Sequence, residues 1–340
     1  MALLIYGLMA LTPMIPKRLF LPLALYNLVM SLASLPLIIA FFGQMHLIAW
    51  GLSMGQALLG LVTFFRIQGS FKFRWPLVST DLLVQLRFSW GNLAGFVLVN
   101  VLVLLPAFVA YLLVGTAMAV NHVSEGFVAL HLNGISVQVR KYLRADGKVV
   151  ELFPMAHIAD AGFYQRVSQT FPTNSLILME GVSDDQNLLT NKISYKRMAR
   201  SLGLSEQHEE FVPERGTVVR ADIDISKFSK ETIGFLNLIM LVHAKGFNPS
   251  LLEKMAQYSP PPHFEKQLFD DLLNLRNQHL LEEIHARLLE ADNLMVPWGA
   301  AHMPGIAQGL QKDGFHMGST TNYMVIRFRG FGGGDRAARP

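Results

Sequence analysis

Long uncharged apolar runs dominate the first third of this chain of 340 residues, and they restrict its fold more than any other feature. A membrane-spanning helix needs roughly 20 mostly apolar residues, because the hydrocarbon core is about 30 Å thick and a helix rises about 1.5 Å per residue. Residues 19–43, 46–65 and 94–120 each meet that requirement, the last with Pro106 as a candidate kink. Residues 2–16 are apolar but short, and Pro13 and Pro16 end them. They fit a fourth span, a half-inserted segment or a signal-like stretch. A signal peptide fits least, since no basic residue precedes the run and no small-residue cleavage site follows.

Charge separates this part from the rest. Residues 1–121 hold Lys17, Arg18, Arg66, Lys72, Arg74 and Arg87 against the single acid Asp81, leaving 23 of the 29 basic and 24 of the 25 acidic residues for the remainder. The sequence pI of 9.2 therefore comes from the apolar part. It is no sign of nucleic-acid binding, which needs basic residues clustered on a folded face. The basic residues lie before the first span and between the second and third, which assigns those segments to the cytoplasm. A third span then carries the C-terminal part outside, as expected of a multi-pass protein of the plasma membrane. The stretch Leu77–Trp90 reads as an interfacial amphipathic segment. Few charges lie within the spans, so they read as an anchor rather than a transport path.

Residues 122–328 are expected to form an α/β domain, followed by a disordered tail at 329–340. Asn133-Gly134 and Asp146-Gly147 separate alternating apolar stretches, which predicts a three-stranded meander over 126–156. Apolar strands are expected at Val149–Met155, Ser175–Met179 and Leu294–Trp298, with helices at 161–170 and 304–312 and a last strand at Tyr323–Phe328. Residues 186–293 read as mainly helical, and Phe264–Asn293 as one long amphipathic helix with room for a break. Arg276 interrupts its apolar stripe, and a charge there must be paired, face a cavity or snorkel to the rim.

Each of the three apolar strands delivers a metal-capable side chain directly after it: His157, Glu180 and His302. Ligands of open α/β sheets bind at the carboxyl ends of the strands. Two imidazoles and a carboxylate suit zinc, manganese, iron or cobalt and leave a position for water. Asp222 and Asp224 alternate on a stretch expected as a strand, Val218–Ile225, and face either the site or water. Glu282-x-x-His285 is a single copy of a di-iron-type spacing and reads as a solvated helix face. The chain has no Cys, which excludes disulfides and thiolate metal sites. It also lacks a zincin His-Glu-x-x-His, a Walker loop and a Gly-x-Ser-x-Gly elbow.

These residues resemble the TraB/PrgY/GumN family, to which the Tiki metalloproteases are related. The resemblance covers roughly 148–328. It rests on Met155-Ala-His157-Ile with Phe163-Tyr164, Leu176-Ile-Leu-Met-Glu180-Gly181, Ala221-Asp222-Ile-Asp224, Arg276-Asn277, and Gly299-Ala-Ala-His302-Met-Pro-Gly305 with Gly314-Phe315. It implies a central sheet flanked by helices; for the Tiki branch it implies a peptidase dependent on manganese or cobalt, and for the TraB branch the handling of peptide pheromones by sequestration or cleavage. It places functional roles on His157, Glu180, Arg276, Asn277 and His302. Pro154 stands where the family has Gly, and since Pro fixes φ and removes an N–H, a different loop geometry is expected.

Two functions follow as expectations. In the first, a membrane-anchored metallohydrolase cleaves peptides outside the cytoplasm. His157, Glu180 and His302 hold a divalent ion (Mn, Co or Zn), with Glu180 as ligand or general base. Arg276 stabilises an oxyanion or clamps a substrate carboxylate, and Asn277 orients a neighbour. In the second, the same pocket binds or sequesters a peptide or other ligand without cleaving it. The partners are the lipid bilayer and that peptide; the sequence leaves the oligomeric state open.

Overall fold

The computed structural model describes residues 20–70, 72–76, 78–83, 90–99, 101–102, 105–190, 195–245, 253, 258 and 260–328. The run 2–16, Lys17, Arg18, Arg87 and the tail 329–340 lie outside the described residues, as does part of the expected interfacial stretch 77–90. The chain divides into two compact units, Met1–Ala119 and Val120–Pro340.

In the first unit, Met45–Gln68 and Leu105–Val123 are long and apolar enough to cross a membrane, and little of either is buried. Leu21–Ala40 is a further apolar helix. Of the run 94–120, expected as a single span, the described residues are helical throughout: Trp90–Val99, 101–102 and Leu105–Val123. Small residues let these helices approach. Gly55 lies under the Tyr26 hydroxyl, which donates to the Leu52 carbonyl at 2.8 Å, and Gly115 lies under Leu35.

The second unit is mixed α/β. Its strands are β1 (Val128–His131), β2 (Gly134–Leu143), β3 (Val149–Met155), β4 (Ile158–Ala159), β5 (Leu176–Met179), β6 (Ser205–Glu206), β7 (Thr217–Arg220), β8 (Asn293–Gly299) and β9 (His316–Arg327). The meander forms, but its first and last strands share one edge of β2. β1 pairs with residues 134–137 and β3 with 140–143, while β9 runs antiparallel along the opposite edge over 134–143. From β3 the sheet continues as four parallel neighbours in the order β3-β8-β5-β7. β4 and β6 pair separately.

β5 and most of β8 are continuous apolar runs because both of their faces are covered, whereas β7, at the edge of the sheet, is largely exposed. On one face Phe153, Met155, Ile177 and Met295 pack with Phe163, Tyr164 and Val167 of the helix Ala161–Thr170. On the other, Leu152, Leu178, Val296 and Trp298 pack with Leu280 and Ile284 of the helix Arg276–Arg287 and with Ile306 and Leu310 of the helix Met303–Lys312.

Several boundaries differ from the sequence reading. Residues 186–293 include β6 and β7, so they are less helical than expected. β7 ends at Arg220 rather than running to Ile225, because Asp224 caps a short 3-10 turn, accepting from Ser226 N. β9 starts at His316, seven residues before Tyr323. Its first half is polar and exposed, so no apolar alternation marks it, and pairing along β2 makes it a strand. The long helix ends at Arg287 and contains a π-helical segment, Asp270–Leu275, between Phe264–Phe269 and Arg276–Arg287.

Pro154 lies within β3, opposite Trp298 of β8 and beyond Leu152, the last β3 residue paired to β2. A strand with one neighbour tolerates the missing N–H. The chain therefore stays extended through Pro154 and turns only at Ala156-His157. That turn is held by the buried Tyr164 hydroxyl, which donates to the Ala156 carbonyl at 2.7 Å. Tyr164→Phe is expected to lower the stability of this unit by about 1 kcal/mol, the net worth of one such bond, measured as a shift in urea midpoint. An unchanged midpoint would show that the bond does not hold the turn.

Candidate functional site

The four parallel strands end at one edge of the sheet, and each hands over a polar side chain there. His157 follows β3 by two residues and Glu180 follows β5 directly. Asp222 follows β7 by two residues, and His302 ends the 3-10 turn Ala300–His302 after β8. Gly181, with φ of 150°, takes a backbone conformation that L side chains rarely adopt, and its N–H donates to Asp222 Oδ2 at 2.9 Å. The Glu180-Gly181 pair thus turns the chain out of the sheet and joins two strand ends.

Arg276 enters this edge from its helix and spends all five N–H donors inside the protein. Nε donates to Asp222 Oδ1 at 3.0 Å. Nη2 donates to Asp222 Oδ2 at 2.6 Å and to Glu180 Oε1 at 2.8 Å. Nη1 donates to His302 Nε2 at 3.1 Å and to the Leu272 carbonyl at 3.5 Å. The Asp222 side chain is fully buried, and those of Arg276 and Glu180 are 12% exposed. Burial disfavours the Arg276 charge, but the hydrogen bonds and charges of Asp222 and Glu180 outweigh it and hold its pKa above the ordinary value. The snorkelling alternative is thereby set aside, since the guanidinium is paired.

The network dictates the form of His302. Arg276 can only donate, so Nε2 accepts and Nδ1 carries the proton, which it gives to Asn277 Oδ1 at 2.7 Å. Burial is the first cause that lowers the His302 pKa, to about 4, followed by the Arg276 charge; Glu180 and Asp222 oppose them. The imidazole is therefore neutral near pH 7, and its Nε2, which accepts from Arg276, lies 3.7 Å from Glu180 Oε1. Trp298 stands edge-on to the ring at 5.2 Å, lies under the Arg276 guanidinium at 5.3 Å, and donates to the Leu178 carbonyl at 3.0 Å. Glycines make room for this packing. A Cβ at Gly299 would meet Glu180 Oε2 at 3.2 Å, and one at Gly305 would meet Asn277 Nδ2 at 2.5 Å. The Gly299 N–H donates to Glu180 Oε2 at 2.5 Å.

Glu180, Arg276, Asn277 and His302 thus meet in one bonded cluster. His157 does not join it. Its exposed ring stacks on Tyr195 at 5.2 Å between centroids, while its carbonyl accepts from Gln207 N. Among the described residues, the one group of three ligand atoms that all lie within 4.8 Å of one another belongs instead to Glu206, His208 and Glu209. Two of those three are exposed, and Glu209 is ion-paired to Lys196 at 2.6 Å. His157 still lines the same cleft as Glu180, Arg276 and His302, a space of about 590 Å³ whose far wall is Leu268, Phe269, Leu272 and Leu273.

Asp222 and Asp224, equivalent in the sequence, part here. Asp222 faces the site, whereas Asp224 accepts from Ser183 Oγ, Asp185 N and Ser226 N and holds the loops beside it. That Asp222 follows a short apolar strand, like the other three site residues at this edge, was the signal that could have separated them. Trp298 carried no signal, as it reads as an ordinary strand residue. His285 bonds to Asp313 at 2.8 Å on the exposed helix face.

No protein-family model, curated protein or solved structure matches this chain.

Two consequences are measurable. Below about pH 6.5 an unfolded chain takes up a proton that the buried His302 refuses, so stability falls between about pH 6.5 and about pH 4. The loss assigned to His302 is on the order of 3 kcal/mol, and His302→Gln should flatten the fall in urea midpoint over that range. An identical fall in the variant counts against a neutral buried imidazole. Gly305→Ala should push Asn277 off His302 and lower stability by about 1–3 kcal/mol in thermal unfolding, as overpacking does. A neutral result would mean that Asn277 has room to move.

Proposed function

We propose that this chain is a membrane-anchored, metal-dependent hydrolase of the TraB/PrgY/GumN type, most simply a peptidase acting outside the cytoplasm. The observation that carries the reading is the convergence of Glu180 and a neutral His302 at the carboxyl edge of four parallel strands, in a cleft shared with His157. The donors suit a divalent ion. An imidazole lone pair and a carboxylate oxygen lie 3.7 Å apart, and a cationic group, the Arg276 guanidinium, already bonds both. His302, Glu180 and His157 would hold manganese, cobalt or zinc. A bound ion would supply a lowered water pKa and a polarised carbonyl.

The chain's own residues do the rest. Asn277 keeps the proton on His302 Nδ1 and so keeps the Nε2 lone pair available. The Gly299 N–H fixes one oxygen of Glu180, which as general base instead of ligand would accept the proton of the attacking water. Asp222 holds Arg276 in place. For Arg276 to serve an oxyanion it must release an internal acceptor, and the 3.5 Å bond to Leu272 is the weakest of the five. The apolar wall of Leu268, Phe269 and Leu272 suits an apolar side chain of a peptide. The exposed apolar helices Met45–Gln68 and Leu105–Val123 support the anchor.

One observation favours the second reading, a pocket that binds a peptide without cleaving it. The Nε2 of His302 and both oxygens of Glu180 already accept internal hydrogen bonds. Elemental analysis of the full chain in detergent decides between them. Near-stoichiometric Mn, Co or Zn, lost in a His157→Ala/His302→Ala double variant, is expected of the hydrolase, and His302→Ala should abolish metal-dependent turnover. A folded protein that takes up none of these ions belongs to the binding reading.

A further inference from the structure

We propose that Arg276 is a built-in counter-cation that competes with divalent metal for this site, so that the Arg276–Asp222 pair sets the threshold for metal loading. The inference rests on the metal reading above and adds a regulator to it. Arg276 bonds the ligand atom of His302 at 3.1 Å and one ligand oxygen of Glu180 at 2.8 Å. A lone pair that accepts an N–H cannot at the same time coordinate an ion. Two positive groups in contact within a poorly solvated cleft also repel strongly. Metal entry at His302 therefore requires the guanidinium to leave Nε2, its one lone pair.

Asp222 makes that departure difficult. Its fully buried carboxylate takes two hydrogen bonds from Arg276, a bidentate arrangement with strong geometric preference. The Trp298 ring lies against the guanidinium on another side. With Glu180 and Asp222 ionised and His302 neutral, the cluster carries a formal charge of −1 while Arg276 is present and −2 without it. Such a site is quiet at low ion concentration, because its own cation satisfies it, and it opens only to an ion that binds more tightly than Arg276 does.

The test is calorimetric titration of the detergent-solubilised full chain with Mn²⁺ and with Zn²⁺, a readout independent of turnover. Arg276→Met removes the competing cation, and Arg276→Met/Asp222→Asn removes it while restoring the cluster charge to that of the wild type. Both variants are expected to bind an ion about tenfold or more tightly than the wild type, as removal of a like charge at contact distance implies. The double variant removes the fully buried Asp222 charge that the single one leaves unpaired, so it stands in if the single one does not fold. Wild-type binding that is lost in His302→Ala but no tighter in either Arg276 variant overturns the competition and keeps the metal reading. An absence of ion binding in the wild type and in all variants overturns both.

Discussion

The buried pair of Arg276 and Asp222 is the interaction around which the rest of the site is arranged. A guanidinium in so dry a place must have all its donors satisfied, and each acceptor it uses comes from a different part of the chain. Asp222 arrives from the end of β7, Glu180 from β5, His302 from beyond β8, and the Leu272 carbonyl from the π-helical turn before Arg276 itself. One cation therefore ties three strand ends to the helix that covers them. Removing either partner of such a pair costs far more than the pair contributes, because the other charge remains buried.

The same network decides the chemistry open to the site. Arg276 lowers the basicity of His302 and fixes its tautomer through Nε2, while Asn277 does so through Nδ1. The close approach of Asn277 to Gly305 shows how packing between the helices Arg276–Arg287 and Met303–Lys312 reaches the imidazole. The supporting residues thus act on the reactive ones by position and charge, without needing to touch a substrate.

Pro154 shows how tertiary context absorbs an apparent defect. A Pro for Gly exchange suggests a reshaped loop when only the local sequence is considered. In the fold, residue 154 lies in a strand segment with a single paired neighbour, and the turn is made afterwards and secured by Tyr164. His157, however, ends exposed against Tyr195 rather than in the bonded cluster. The strand-end placement of the three metal-capable residues held for all of them, while the bonding among them did not extend to His157.

Local patterns decided much of this protein. Asn133-Gly134 and Asp146-Gly147 marked where the meander turns but not how: the loop between β1 and β2 is Leu132-Asn133, neither at a positive φ, and that between β2 and β3 runs over 144–148 with a positive φ at Gly147. The apolar runs Ser175–Met179 and Leu294–Trp298 marked strands buried on both faces, and a polar residue beyond each marked the edge where a site forms. The apolar stretches near the N-terminus marked helices, since composition and length alone govern that property. Other features were settled only by the tertiary structure. Whether Asp222 or Asp224 faced Arg276 depended on where β7 stopped, which the pairing with β5 decides. The polar half of β9 became a strand only because β2 offered it an edge. The protonation and orientation of His302 came from Arg276 and Asn277, 26 and 25 residues away in the chain, because the field at a buried imidazole is a sum over spatial neighbours that no local pattern encodes.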